Sequence, residues 1–351
     1  MSKKVIGKKP YIIAGPCSIE TYDQAFLIAE SVKNHIDLFR AGIWKPRTSP
    51  NSFEGVGQKG LGWLRAIKKH VGLRVATEVV TAQHVDLCLK NEIDCLWIGA
   101  RTTVNPYYVQ EIAEALKGVN IQILIKNPIH PELNLWIGAI ERIRKSGISD
   151  IAAVHRGFYS YSKNEYRNNP KWEIPIKLKK EIKDISIICD PSHISGRADL
   201  IDEISQTAMD LDFNGLMIET HNKPETALSD GNQQLTPKKL KQLINNLTLR
   251  NQNISDINYK KKLVSFRKKI DLYDKKIIEL LYERKRIVQE IAKFKNTNKL
   301  TALQIDRWIE ILKTRKERAN NIGLDNNMIV EIFELIHKYS IFTQTNIMRE
   351  E

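Results

Sequence analysis

The sequence predicts an α/β fold: a (β/α)8 TIM barrel followed by an all-α three-helix domain. Three observations carry this. Eight short apolar runs recur along the first part of the chain, each followed by a helical pattern. The residues that end those runs are almost all charged or reactive. Beyond Leu249 the strand-like runs stop and long helical spacing takes over.

The runs are Tyr11–Ala14, Leu38–Ala41, Arg74–Val80, Cys95–Gly99, Gln122–Ile125, Ile151–Val154, Ser186–Cys189 and Gly215–Ile218. Continuous rather than alternating apolar strands belong to a parallel sheet covered on both faces. Between them, spacings such as Ala25, Ile28, Ala29 and Val32, or Leu200, Ile201, Ile204 and Ala208, put one apolar stripe on a helix. Eight such units in about 240 residues fit a closed barrel better than an open sheet. Arg250 to Asn258 is polar and aperiodic, so 251–258 reads as a linker between a barrel at 1–250 and a helical domain at 259–351. In that domain one long helix runs to about Lys295, a second spans about Leu303–Asn320 and a third about Asn326–Gln344. Gly323 and Asp325 supply the stop and the cap between the last two.

Composition narrows the function classes. Of 351 residues, 42% are hydrophobic and 27% charged, which supports a large core and argues against wholesale disorder. No apolar run approaches the ~20 residues needed to cross a bilayer. The strand-like run at Tyr11 follows Met1 too closely to leave room for a signal-peptide core. Cys17, Cys88, Cys95 and Cys189 form no CxxC pair, so a reduced, cytoplasmic setting is expected. The net charge is +14; from Tyr259 onward 21 Lys and Arg face 13 Asp and Glu, a balance of +8 that leaves +6 for the rest. Nucleic-acid binders show aromatic interleaving and motifs that are missing here, and small anionic substrates account for the same bias. Gly55-Val56-Gly57-Gln58-Lys59-Gly60 matches GxGxxG, but a loop precedes it where a dinucleotide site needs a strand, so NAD binding is rejected.

In such a barrel the C-terminal strand ends converge on one mouth. Cys17, Arg40 with Lys45 and Arg47, Glu78, Arg101, Lys126, Arg156, Asp190 with His193, and Glu219 all fall there. Two sets separate. Cys17, His193, Glu219 and Asp230 offer one thiolate, one imidazole and two carboxylates, which suit divalent Mn, Fe, Zn or Co better than Mg. Taken singly, Cys17 reads as core and Asp230 as a turn residue; together at the strand ends they read as ligands. Arg40, Lys45, Arg47, Arg101, Lys126 and Arg156 form a cationic set whose mutual repulsion calls for bound anions.

Ile13-Ala14-Gly15-Pro16-Cys17-Ser18, Lys45-Pro46-Arg47-Thr48-Ser49, Gly99-Ala100-Arg101, Asp190-Pro191-Ser192-His193 and Ala227-Leu228-Ser229-Asp230-Gly231 resemble the signatures of the type I 3-deoxy-D-arabino-heptulosonate 7-phosphate (DAHP) synthases, β subgroup. The resemblance covers about residues 10 to 248. It implies condensation of phosphoenolpyruvate with D-erythrose 4-phosphate to DAHP plus phosphate, the first step of the shikimate pathway. The related 3-deoxy-octulosonate 8-phosphate synthases carry Lys-Ala-Asn-Arg where this chain has Lys45-Pro46-Arg47, which favours erythrose 4-phosphate. The resemblance further implies Cys17, His193, Glu219 and Asp230 as metal ligands. Arg40, Lys45, Arg101, Lys126 and Arg156 would hold phosphoenolpyruvate, and Arg47, Thr48 and Ser49 the sugar phosphate. A metal would polarise the aldehyde while the enol carbon attacks, with Lys126 and Glu78 as candidate proton carriers.

The long helix carries Leu263, Phe266, Ile270, Tyr273, Ile277, Leu280, Ile287, Ile291 and Phe294 at heptad-like positions, with Arg284 in the seam. An arginine in a buried stripe is costly unless an anion meets it. Lys295 lies about 20° around the axis from Arg284 and about 16 Å along it, so the two could share one dianion. Arg267 stands roughly 42 Å from Lys295 and could join such a site only from a second chain. Over about residues 259 to 345 this spacing resembles the all-helical chorismate mutases of the AroQ class. The resemblance implies an intertwined homodimer that rearranges chorismate to prephenate without cofactor or nucleophile. Arg267, Arg284, Lys295, Arg307, Ser340 and Gln344 fall on its binding positions, with Lys295 and Gln344 stabilising charge on the ether oxygen. Trp308 and Gln304 depart from the pattern, which has glutamate and aspartate beside the substrate's hydroxyl. The expected protein is therefore bifunctional, a transferase and an isomerase. In the alternative, the tail dimerises and senses prephenate or chorismate, because the barrel starts too near Met1 to leave an N-terminal regulatory extension.

Overall fold

The computed structural model describes residues 9–45, 52–161, 165–250 and 257–350. The chain divides into two compact units, Met1–Gln252 and Asn253–Glu351. In the first, eight strands form in the expected places: β1 (Tyr11–Gly15), β2 (Leu38–Arg40), β3 (Val75–Val79), β4 (Cys95–Ile98), β5 (Gln122–Lys126), β6 (Ile151–His155), β7 (Ser186–Cys189) and β8 (Gly215–Glu219). They pair in parallel in sequence order, and β8 closes on β1. Three strands run on into their polar end residues, Lys126, His155 and Glu219. The ladder is backbone hydrogen bonding, so it extends past the apolar run: Gly15 is still in register with Glu219.

Pleating sends alternate residues to opposite faces. Ile13 of β1 joins Leu38, Trp97, Leu124, Ile188 and Met217 in a core inside the barrel. Ile12 and Ala14 face outward into the larger core under the helices. The helix Tyr22–Val32 buries the expected Ala25, Ile28, Ala29 and Val32, and the Thr21 side chain caps it by accepting from the Gln24 N–H at 3.1 Å. Trp136, on the helix Leu133–Lys145, is fully buried and donates its indole N–H to the Ile125 carbonyl at 3.0 Å. At the top of β1, Gly15 has φ +152° and any Cβ would lie 2.1 Å from the Arg40 carbonyl oxygen, so only glycine lets β1 and β2 close there. The GxGxxG segment runs into the helix Lys59–Val71, and the described residues just before it, 52–54, are not a strand.

The second unit is three helices, Ile257–Thr297, Ile305–Asn321 and Asn326–Glu350. Gly323 takes φ +75°, and the Asp325 carboxylate accepts from the Met328 N–H at 2.7 Å, as the stop and cap require. The long helix has 41 residues and the last 25, so they rise about 61 Å and about 37 Å respectively. The shorter cannot cover the longer. The heptad seam is accordingly not buried within the single chain: Phe266, Ile270, Tyr273, Ile277, Leu280, Ile287, Ile291 and Phe294 are exposed. The closed face instead carries half-buried Arg284 with buried Val288, Ala292 and Lys295, at i, i+4, i+8 and i+11, where the last helix packs. No helix of the described residues is long and apolar enough to cross a membrane.

Trp136→Ala should destabilise the barrel unit by about 3–5 kcal/mol, through lost burial and a cavity. A denaturant titration checks this, and a loss under about 1 kcal/mol would contradict the packing described.

Candidate active sites

Closure of the barrel brings distant strand ends together. Cys17 just beyond β1, Glu219 at the end of β8 and Asp230 in the following loop place one sulfur and two carboxylate oxygens within 4.8 Å of one another. Cys17 and Glu219 are fully buried. Asp230 sits at φ +51°, a left-handed conformation that costs a non-glycine residue energy and that tends to mark functional positions. Its carboxylate lies 3.2 Å from Arg167 and takes the Cys17 thiol at 3.5 Å. His193 Nε2 stands 3.8 Å from Glu219 Oε1. Its Nδ1 is held by Asp190 at 3.0 Å, while the same carboxylate accepts from the His193 backbone N–H at 3.1 Å and so caps the short helix Pro191–Ser195. A carboxylate behind one ring nitrogen turns the other toward the cluster, as in metal-binding histidines.

The charges explain one another. Burial opposes ionisation of Glu219, but His193, Arg40 and Lys45 overcome it and hold the carboxyl well below the usual range. Asp190 is likewise held low against burial, by His193 and Lys126. The Cys17 thiol is pushed up to about 12 by burial and by the Glu219 charge, although Lys45 Nζ lies 3.1 Å from its sulfur. A cation among these groups would reverse that balance and favour the thiolate. The donor set of sulfur, imidazole and carboxylates fits a borderline divalent ion.

The cationic set divides in two. Arg40, 1% exposed, donates to Glu219 at 2.7 Å and to the Cys17 carbonyl at 3.2 Å, so with Lys45 it belongs to the cluster's immediate surroundings. Its buried Nε has no partner. Lys126 and Arg156 instead line a cleft of about 320 Å³ together with Glu78, exposed Arg101, Arg167 and His193. Lys126 donates to Asp190 at 2.7 Å and Arg156 to Asn168 at 2.7 Å, and burial pulls the Arg156 guanidinium down to about 10. Glu78 accepts the Trp97 indole N–H at 3.1 Å. Gly99 leaves it room, since a Cβ there would stand 2.0 Å from Glu78 Oε1. Trp97 also lies under Arg40, 4.8 Å from its ring centre. Arg47, Thr48 and Ser49 fall outside the described residues.

Several neighbours escape a reading of strand ends. Gln233 donates to Glu219 Oε2 at 2.7 Å, Ser229 lies 3.0 Å from the Cys17 sulfur, and Arg167 bridges Gln233 and Asp230. Ser229 and Arg167 lie in loops and Gln233 in a single 3-10 turn, where no periodicity flags them; for Ser229 and Gln233 the available signal was their place beside Asp230.

In the helical unit, Arg284 donates to the Ser340 hydroxyl at 2.7 Å and Lys295 to the Ala302 carbonyl at 2.7 Å. Lys295, Ser340 and Gln344 are each more than nine-tenths buried, and the Gln344 Oε1 has no hydrogen-bond partner. Arg307 is exposed and paired with Glu310 at 2.7 Å on its own helix. Arg267 lies on the exposed stretch of the long helix.

The closed barrel and the charged cleft at its mouth define a (β/α)8 enzyme. The chain belongs to the DAHP synthetase I family, whose model matches residues 2–254, and residues 266–345 match the chorismate mutase type II model. It therefore carries a DAHP synthase domain, a transferase, and a chorismate mutase domain, an isomerase, both of the shikimate pathway. The phospho-2-dehydro-3-deoxyheptonate aldolase of Thermotoga maritima is 32% identical over 234 residues, 66% of this chain and 67% of that one. A crystal structure of the Thermotoga maritima enzyme aligns with TM-score 0.61 at 30% identity, over 68% of each chain. A 2-dehydro-3-deoxyphosphooctonate aldolase from Campylobacter jejuni is 26% identical over 270 residues, 70% of this chain and 98% of that one.

Glu219 and Asp190 ionise below their unfolded values, so the stability they contribute is full only above about pH 5 and is lost progressively as pH falls from there toward their lowered folded values. Metal-free protein should lose stability steadily between about pH 5 and 3, and Glu219→Gln should flatten part of that slope. Denaturation midpoints against pH check this; an unchanged slope in the variant would count against the ion network.

Proposed function

We propose that the barrel condenses phosphoenolpyruvate with D-erythrose 4-phosphate, using a divalent Mn, Fe, Zn or Co held by Cys17, His193, Glu219 and Asp230. One observation supports this above the rest: a sulfur and two carboxylates lie within 4.8 Å of one another, and His193 beside them lines a cleft with Lys126, Arg101 and Arg156. When bound there, the ion supplies Lewis-acid polarisation of the aldehyde. Lys126, Arg101 and Arg156 hold the phosphate and carboxylate of phosphoenolpyruvate, while Arg40 and Lys45 balance the ligand charges. Arg47, Thr48 and Ser49 take the sugar phosphate. The enol carbon bonds to the aldehyde carbon, water adds to the resulting cation, and the phosphate C–O bond breaks. Glu78 and Lys126 border one cleft and move the protons. The preference for the four-carbon sugar rests on Lys45-Pro46-Arg47.

The helical unit, in this reading, rearranges chorismate to prephenate between Arg284, Lys295, Ser340 and Gln344, with Arg307 and, across a homodimer, Arg267. The uncovered apolar stripe of the long helix supports the dimer. Four buried, free thiols support a reducing, cytoplasmic setting. Arg307 is exposed and pairs with Glu310, and Trp308 replaces the glutamate of the pattern. Those two facts favour a second reading, in which the unit binds prephenate or chorismate and restrains the barrel without useful turnover.

Chelation should abolish the condensation, and Cys17→Ala should stay inactive at any added metal concentration; a coupled assay across several metals reads both. Full activity after exhaustive chelation would sink the metal assignment. Chorismate loss should fall about 10²–10³-fold in Arg284→Ala, the scale of one lost charge-stabilising donor. Absence of turnover in the unmutated protein leaves the sensing role, tested by prephenate lowering the synthase rate.

A further inference from the structure

Trp308 and His337 lie face to face, ring centres 4.0 Å apart and planes 13° from parallel. Both are half-buried. Trp308 follows Arg307 on the middle helix, and His337 stands one turn before Ser340 and two before Gln344 on the last. Positions i, i+3 and i+7 share one helix face. That face receives Arg284 through Ser340 and carries the orphaned Gln344 amide oxygen. A buried amide end without a partner is costly unless something arrives to meet it.

The imidazole stands in an unusual field. Burial lowers its proton affinity, and Arg284 and Lys295, both on the long helix, lower it further. The middle helix presents the neutral Trp308 indole, and neighbouring Arg307 is engaged by Glu310. A histidine serving only as packing has no need to stand in the field of both cations of an anion site. Flat stacking fixes the ring plane, so its nitrogens point along directions set by the helix pair, not by rotation in solvent.

We propose that His337 is a further ligand-contacting residue of this site, receiving a carboxylate or hydroxyl oxygen of a small dicarboxylate beside Arg284 and Lys295, with Trp308 as its positioning residue. The proposal rests on the reading of the helical unit as a chorismate or prephenate site. It supplies, from the last helix, a polar contact that the indole at position 308 lacks. A bound dianion offsets the two cations and favours the imidazolium. By reciprocity, protonating His337 tightens the dianion by the same factor.

The test uses the full chain with ¹³C-labelled histidine, titrated by NMR between pH 5.5 and 8.5 with and without saturating prephenate. The His337 midpoint should lie below 6.5 in the free protein and rise by about one unit with prephenate, equivalent to a tenfold change in affinity. The prephenate dissociation constant should fall about three- to sixfold from pH 8 to pH 6, and His337→Asn should flatten that profile. Trp308→Phe should preserve the profile and Trp308→Ala should blunt it. The proposal is overturned if prephenate binds in an Arg284-dependent way while the His337 midpoint stays put, or if His337→Asn keeps the unmodified pH profile. Failure of both prephenate and chorismate to bind at all would instead remove the anion-site reading beneath it.

Discussion

Glu219 carries its charge with no surface exposed, and the rest of the barrel mouth is organised around keeping it charged. Arg40 and Gln233 hold its two oxygens at 2.7 Å, and His193 approaches at 3.8 Å. His193 is in turn backed by Asp190, and Asp190 by Lys126 at 2.7 Å. Arg40, Glu219, His193, Asp190 and Lys126 thus form a chain of mutually paired groups across the ends of β2, β8, β7 and β5, with two carboxylates held between two cations and an imidazole whose proton affinity burial lowers. Each member satisfies its neighbours, so removing one strands another; that is where a buried pair costs about 3–5 kcal/mol to break. The strand ends cannot drift apart without exposing that imbalance, and the same constraint holds Cys17, His193, Glu219 and Asp230 close together.

The chain of charge also divides labour at the mouth. Arg40 and Lys45 face inward to the cluster, while Lys126 and Arg156 border the open cleft. Trp97 separates the two: its face supports Arg40 and its N–H fixes Glu78. Gly99 is small for the same reason, because a side chain there would displace Glu78. Glu78 therefore shares one cleft with Lys126, Arg101 and Arg156, its carboxylate held by Trp97 while Lys126 pairs with Asp190.

The helical unit obeys a different limit. A helix of 41 residues cannot be covered by one of 25, so much of its apolar surface stays open in the single chain. Its buried polar groups Lys295, Ser340 and Gln344 gather with half-buried Arg284 on the long and last helices. The stacked Trp308 and His337 join the middle and last helices at that same region.

The sequence by itself determined the eight strands, because continuous apolar runs can be stable only where both faces of a parallel sheet are covered. It also determined which charged residues end those strands, and the three helices with their Gly323 and Asp325 punctuation. What tertiary structure decided was partnership. That Arg40 serves Glu219, that Lys126 serves Asp190, and that Arg167 and Gln233 belong to the cluster depend on barrel closure, which joins residues up to about two hundred positions apart. The long helix shows the same divide: its apolar spacing predicted a buried seam, yet the last helix chose the face of Val288 and Ala292. Periodicity records that a face is apolar. Only the lengths and contacts of the neighbouring helices decide which face a single chain can close.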